Sequence, residues 1–124
     1  MTDTQSFTHD SLRVEIAEEA QSITMRWFGK STMRKPGDFL APILADLLKR
    51  GNESGKRIVM DFRTLQYMNS STITPVIRLL EQARRSAGRL SVLYRQDLKW
   101  QHLSFSALKI FETPDARIEL KGAE

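Results

Sequence analysis

Cysteine is absent from this chain, which removes disulfides, thiolate zinc sites and cysteine nucleophiles together and suits a reducing compartment. The two histidines, His9 and His102, have no second histidine or carboxylate at metal-ligand spacing, so neither a metal site nor a catalytic triad is expected. A glycine-rich phosphate loop is missing too. No apolar run approaches the roughly 18 residues of a membrane span, and the polar first ten residues lack the apolar stretch of a secretory signal. The expectation is a cytoplasmic protein that is not an enzyme and carries no cofactor or metal.

What remains is an ordinary globular composition. The 124 residues suit one domain (1–124), with 1–10 read as a flexible tail. Hydrophobic residues make up 40% and charged residues 27%, which excludes a disordered or fibrous chain. The net charge of +4 draws acidic partners only through weak long-range fields, and nucleic-acid binders show a denser basic stripe.

Periodicity supplies the elements. Leu12, Val14 and Ile16 alternate with Arg13 and Glu15 as a half-buried strand, and Ile23, Met25 and Trp27 form a second that Gly29 should end. Asp38 is placed to cap a helix with Phe39, Leu40, Ile43, Leu44, Leu47 and Leu48 inward, Pro42 in its first turn and Gly51 as its stop. Residues 57–62 read as a central strand, 72–87 as a second helix closed by Gly88, and 89–94 as a strand. A third helix over 100–111 should bury Trp100, Leu103, Ala107, Ile110 and Phe111, and 117–120 ends the order as a strand. The fold class is α/β: β-β-α-β-α-β-α-β, a mixed sheet with right-handed crossovers and helices mainly on one face.

One segment carries candidate chemistry. Tyr67-Met-Asn-Ser-Ser-Thr-Ile-Thr-Pro75 joins a buried strand to a helix, and four of its nine residues bear hydroxyls. Pro75 is cheapest in a first helical turn, which puts the cap at or near Ser71 and Ser70 just outside the helix, facing solvent. A phosphate there would meet free backbone N–H groups and the positive end of the helix dipole. It would add about −1.5 to −2 charges to a neutral surface, enough to repel an acidic partner or break an apolar contact. Local chemistry alone supports no more than capping, worth about 1 kcal/mol per residue.

From Arg57 to Thr113 the chain resembles the STAS domains of anti-sigma-factor antagonists. Those carry an apolar strand, Asp-Ser-Ser-Gly, a helix ending in Gly-Gly-Arg or similar, a strand and a terminal helix. The corresponding stretches are Ile58-Val-Met-Asp-Phe62, Tyr67-Met-Asn-Ser-Ser-Thr72, Ala87-Gly-Arg-Leu90 and residues 103–111. The resemblance implies a partner-switching regulator with Ser70 as phosphoacceptor and Ser71 and Thr72 as alternates. Ser71 also serves as cap, and Asn69 and Thr72 shape the loop and its partner contacts. Asn69 stands where the family has aspartate and Thr72 where it has glycine. The string Tyr-Met-Asn-Ser-Ser is similar to a divergent STAS-like branch that binds a diguanylate cyclase and governs biofilm formation. The implied partners are a serine/threonine kinase of the histidine-kinase-like ATPase class, a PP2C-type phosphatase, and an anti-sigma factor or diguanylate cyclase as effector.

The loop containing Lys30, Arg34 and Lys35 would lie near that serine in such a fold and attract an anion or an acidic partner. A different class of reading makes the chain a constitutive nucleotide- or RNA-binding module, using those three residues with Arg84, Arg85 and Arg89. A hydrolase built on Ser70 lacks a plausible base and oxyanion donors.

Overall fold

The computed structural model describes residues 3–123. Its elements are β1 (Asp3–His9), β2 (Leu12–Glu18), β3 (Ser22–Ser31), α1 (Pro36–Ser54), β4 (Arg57–Asp61), β5 (Leu65–Met68), α2 (Ser70–Arg85), β6 (Arg89–Arg95), α3 (Lys99–Ala107), a 3-10 turn (Leu108–Phe111) and β7 (Ile118–Ala123). They build one seven-stranded mixed sheet in the order β1-β2-β3-β4-β6-β7, with β5 also paired to β3. β1, β2 and β3 run antiparallel, while β3, β4, β6 and β7 run parallel. The expected mixed α/β architecture is therefore present.

Parallel register stacks one inward row across the sheet. Met25 lies beside Met60, Met60 beside Val92, and Val92 beside Leu120. A second row runs Ile23, Ile58, Leu90, Ile118. All eight are buried, as period-2 alternation over a one-sided core demands. The three helices cover that same face. α1 packs its Gly51 on Ile58, α3 sets Phe105 against Phe62 and Tyr94 with ring centroids 4.6 and 5.5 Å apart, and α2 lies between them. Strand order advances in one direction through three crossovers, so right-handed connections put every helix on one side.

Several boundaries differ from the periodicity reading. Residues 3–9, expected within a flexible tail, form edge strand β1, pairing residue for residue with β2. Gly29 does not end β3. Its φ of +85° makes a bulge, with Ser11 O standing where a Cβ would have to go, and the strand resumes to Ser31. α1 starts at Pro36 without a side-chain cap and stops at Gly55, whose φ of +70° is left-handed, so Asp38 is not the cap and Gly51 is not the stop. Gly51 instead admits Ile58, whose side chain would lie 2.7 Å from a Cβ.

α3 shows the largest error of phase. Its buried residues are Gln101 and Phe105, followed by Leu108 in the 3-10 turn, whereas Leu103 and Ile110, expected inside, are exposed. Gln101 takes the interior position because its side chain closes three main-chain groups. It donates to Phe62 O at 2.7 Å and Leu65 O at 3.0 Å, and accepts from Arg95 N at 2.8 Å. A buried amide satisfied on all sides costs little and pins α3 over the end of β4.

Candidate functional site

β5 carries the chain along the C-terminal part of β3, with Tyr67 beside Lys30 and Met68 beside Ser31. That short pairing delivers the chain to the first turn of α2. Asn69, not Ser71, is the N-cap: its backbone is extended, and its Oδ1 accepts from Thr72 N at 3.1 Å. The Asn at the cap satisfies one donor that the first turn leaves free. Ser70 is thus the first helical residue rather than one outside it, and Pro75 falls in the second turn. The cap chemistry of Asn69 outweighs the preference of proline for the first turn, at the cost of one internal helix bond.

The frame around Ser70 is a closed hydrogen-bond network. Thr72 Oγ1 donates to Asn69 Oδ1 at 2.7 Å and also lies 2.6 Å from Ser31 Oγ. A hydroxyl has one proton, so Ser31 must donate to Thr72. Asn69 uses its Nδ2 to hold Met33 O at 2.8 Å, and its backbone N–H donates to Ser31 O at 3.0 Å. These contacts tie the chain after β3 to the start of α2 before any partner arrives. Thr72 and Ser31 are fully buried, so Thr72 belongs to the frame; it is neither an accessible alternate acceptor nor a partner contact. Ser70 and Ser71 are both exposed, and Asn69 is half-buried.

The basic residues divide. Arg34 and Lys35 stand with Ser71 around a groove of about 450 Å³ between α1 and α2, whereas Lys30 sits within β3 beside Tyr67. Arg84, Arg85 and Arg89 lie at the other end of α2 and the start of β6, away from this site. Sequence reading missed Ser31, the Met33 carbonyl and Arg78, a further lining residue of the groove. It also missed an apolar surface beside the loop: Tyr67 is 46% exposed, Leu103 61%, and the Tyr67 and Trp100 rings lie 6.5 Å apart. Tyr67 is three residues from Ser70, so this surface adjoins the serine.

Electrostatics brace the turn between β4 and β5. Asp61, 4% exposed, accepts from Arg63 N at 3.0 Å and from both Arg63 Nε and Nη2 at 2.9 Å, and Arg26 lies 3.7 Å away. Burial alone would raise its pKa, but the Arg63 hydrogen bonds and the charges of Arg63 and Arg26 outweigh it and hold the carboxyl below its ordinary value. Among the described residues, no cluster of three or more His, Asp or Glu side chains is placed to hold a metal ion, and no helix is long and apolar enough to cross a membrane.

No protein-family model matches the chain, and no curated protein does. Among solved structures it is similar to an anti-sigma factor antagonist from Mycobacterium paratuberculosis, with a TM-score of 0.57 over 89% of this chain and 93% of that one. Identity between the two is 15%. At that identity the likeness establishes the architecture: the chain has the STAS-like fold of an anti-sigma factor antagonist.

Proposed function

We propose that this protein is a non-catalytic partner-switching regulator whose acceptor is Ser70. The observation that carries the reading is an exposed residue, Ser70, first in α2, held in place by the Asn69–Thr72–Ser31 network and bordered by the Tyr67–Trp100 surface. In the unmodified state the apolar surface and the neutral serine together contact a kinase of the histidine-kinase-like ATPase class or an effector. The kinase transfers the γ-phosphoryl of a nucleoside triphosphate to Ser70 Oγ. The O–P ester forms as the β–γ anhydride breaks, and the hydroxyl proton leaves to a base on the kinase.

The new charge stays at the rim of an apolar contact, where its desolvation is unfavourable, and the partner leaves. Because the network beneath is closed, the domain does not refold to report the change. A PP2C-type phosphatase restores the hydroxyl. The effector is an anti-sigma factor or a diguanylate cyclase, the latter favoured by the Tyr67-Met-Asn-Ser-Ser71 string. Partner exchange in the cytoplasm fits all of these steps.

The test uses serine kinases of that class, ATP, and the wild-type, Ser70→Ala and Ser71→Ala chains, followed by intact-mass and gel-filtration analysis. Wild type and Ser71→Ala should gain a phosphoryl group located to Ser70 and dissociate from the kinase; Ser70→Ala should stay bound. A kinase-treated wild-type chain with no phosphoryl at Ser70, or a chain phosphorylated there that remains bound, overturns the proposal.

A further inference from the structure

The groove between α1 and α2 has an unusual balance of charge. Among the described residues its charged lining side chains are Arg34, Lys35 and Arg78, all cations, with no carboxylate beside them in the groove. Among the described residues none of the three makes an ion pair, although ten Lys or Arg ion pairs occur elsewhere in the domain. Ser71 lines this groove and Ser70 does not. Arg78 follows Ser71 by seven residues, which on a helix is two turns along the same face. Arg34 and Lys35 approach from the opposite wall, at the start of α1.

We propose that the α1–α2 groove is a phosphate-binding cleft whose occupant is a phosphoryl group esterified to Ser71 of the same chain. This rests on the reading of the α2 start as a modified loop, and it separates the fates of its two serines. A nucleoside triphosphate donor supplies the group: the Ser71 Oγ–P bond forms, the donor's β–γ anhydride breaks, and the hydroxyl proton goes to the transferring enzyme's base. Once on Ser71, the dianion faces Arg34, Lys35 and Arg78, and charge-assisted hydrogen bonds clamp α1 to α2. On Ser70 the same group lies outside the cleft and is left to solvent and partner. One loop then holds an exposed switch position and an internally neutralised one.

Charge complementarity sets the occupant. Three cations without ion-pair partners in a groove that also holds the Ser71 hydroxyl match a dianion, and covalent attachment supplies it at high effective concentration. Pro36, Leu44, Pro75 and Leu79 give the groove buried apolar walls, and Thr74 and Gln82 are its other polar side chains, both uncharged.

The experiment installs phosphoserine genetically at position 71 or 70, so it needs no natural kinase or partner. Failure of the partner-switching reading therefore leaves its outcome intact, and the converse also holds. Phosphoserine at 71 should raise Tm by about 5 °C in low salt, shift the guanidinium Nε–H resonances of Arg34 and Arg78, and lose most of the gain in high salt. Phosphoserine at 70 should do none of these. Arg34→Ala and Arg78→Ala, checked for unchanged folding in the unmodified chain, should each remove about half of the Tm gain or more. A phospho-71 chain with Tm at or below that of the unmodified protein, or guanidinium shifts equal to those of the phospho-70 chain, overturns the inference.

Discussion

Replacing Asn69 by alanine tests the frame of the site. The side chain accepts from Thr72 N at 3.1 Å and Thr72 Oγ1 at 2.7 Å and donates to Met33 O at 2.8 Å. Alanine deletes all three bonds. Loss of the cap costs about 1 kcal/mol, and the half-buried Met33 carbonyl adds about 1 kcal/mol. The Thr72 hydroxyl adds little, because Ser31 remains 2.6 Å away. The expected loss is about 2 kcal/mol, or about 8 °C in Tm for a domain of this size. Urea unfolding should show a lower midpoint at an unchanged m value. In a double-mutant cycle with Thr72→Val, the two losses should fall short of additivity, since both remove the bond from Thr72 Oγ1 to Asn69 Oδ1. A loss below about 0.5 kcal/mol, within the range of an ordinary surface substitution, or strict additivity with Thr72→Val, would refute the claim that Asn69 holds the loop.

Further outcomes follow from the same geometry. Gln101→Leu should be the costliest substitution in α3, about 3 kcal/mol by denaturant titration, because it takes the side-chain partner from Leu65 O and Arg95 N and leaves Phe62 O with Leu65 N alone. Gly55→Ala, forced into a φ of +70°, should cost about 1 kcal/mol with no change in partner binding. The Asp61 carboxyl has its folded pKa below the unfolded value, so its contribution to stability is present above the unfolded pKa, near 4, and is lost as pH falls through the folded pKa. Asp61→Asn should accordingly lower stability at neutral pH and flatten its decline below about pH 4, read from melts at several pH values. Tyr67→Ser should weaken partner binding at least tenfold while leaving phosphoryl transfer chemistry at Ser70 intact, and unchanged affinity would remove the apolar surface from the account.

The sequence makes the core strands legible because their chemistry is repetitive. Leu12, Val14 and Ile16, or Ile58 and Met60, alternate over a face that is buried along its whole length. β1 escapes such reading: an edge strand with one neighbour, it carries Phe7 as its single large apolar residue, and pairing with β2 rather than burial defines it. β5 has four residues, too few to establish a period. The α3 phase is misread because a buried glutamine counts as polar in any periodic scan, and discarding Gln101 moves the apparent stripe onto Leu103 and Ile110. At the site, the cluster of hydroxyls points to the start of α2, where Ser70 and Ser71 are exposed. Their division of labour depends on contacts with Ser31 and Met33, more than thirty residues away in the chain, which no local pattern encodes.

The most direct test is the mass of the protein isolated from the cells that make it, before and after phosphatase treatment, for wild type and Ser70→Ala. The account predicts a phosphatase-sensitive species heavier by one phosphoryl group, located to Ser70 by fragmentation in wild type and absent at that position in Ser70→Ala. A wild-type chain that carries no phosphoryl at Ser70 under any growth condition, while still exchanging partners, would contradict it.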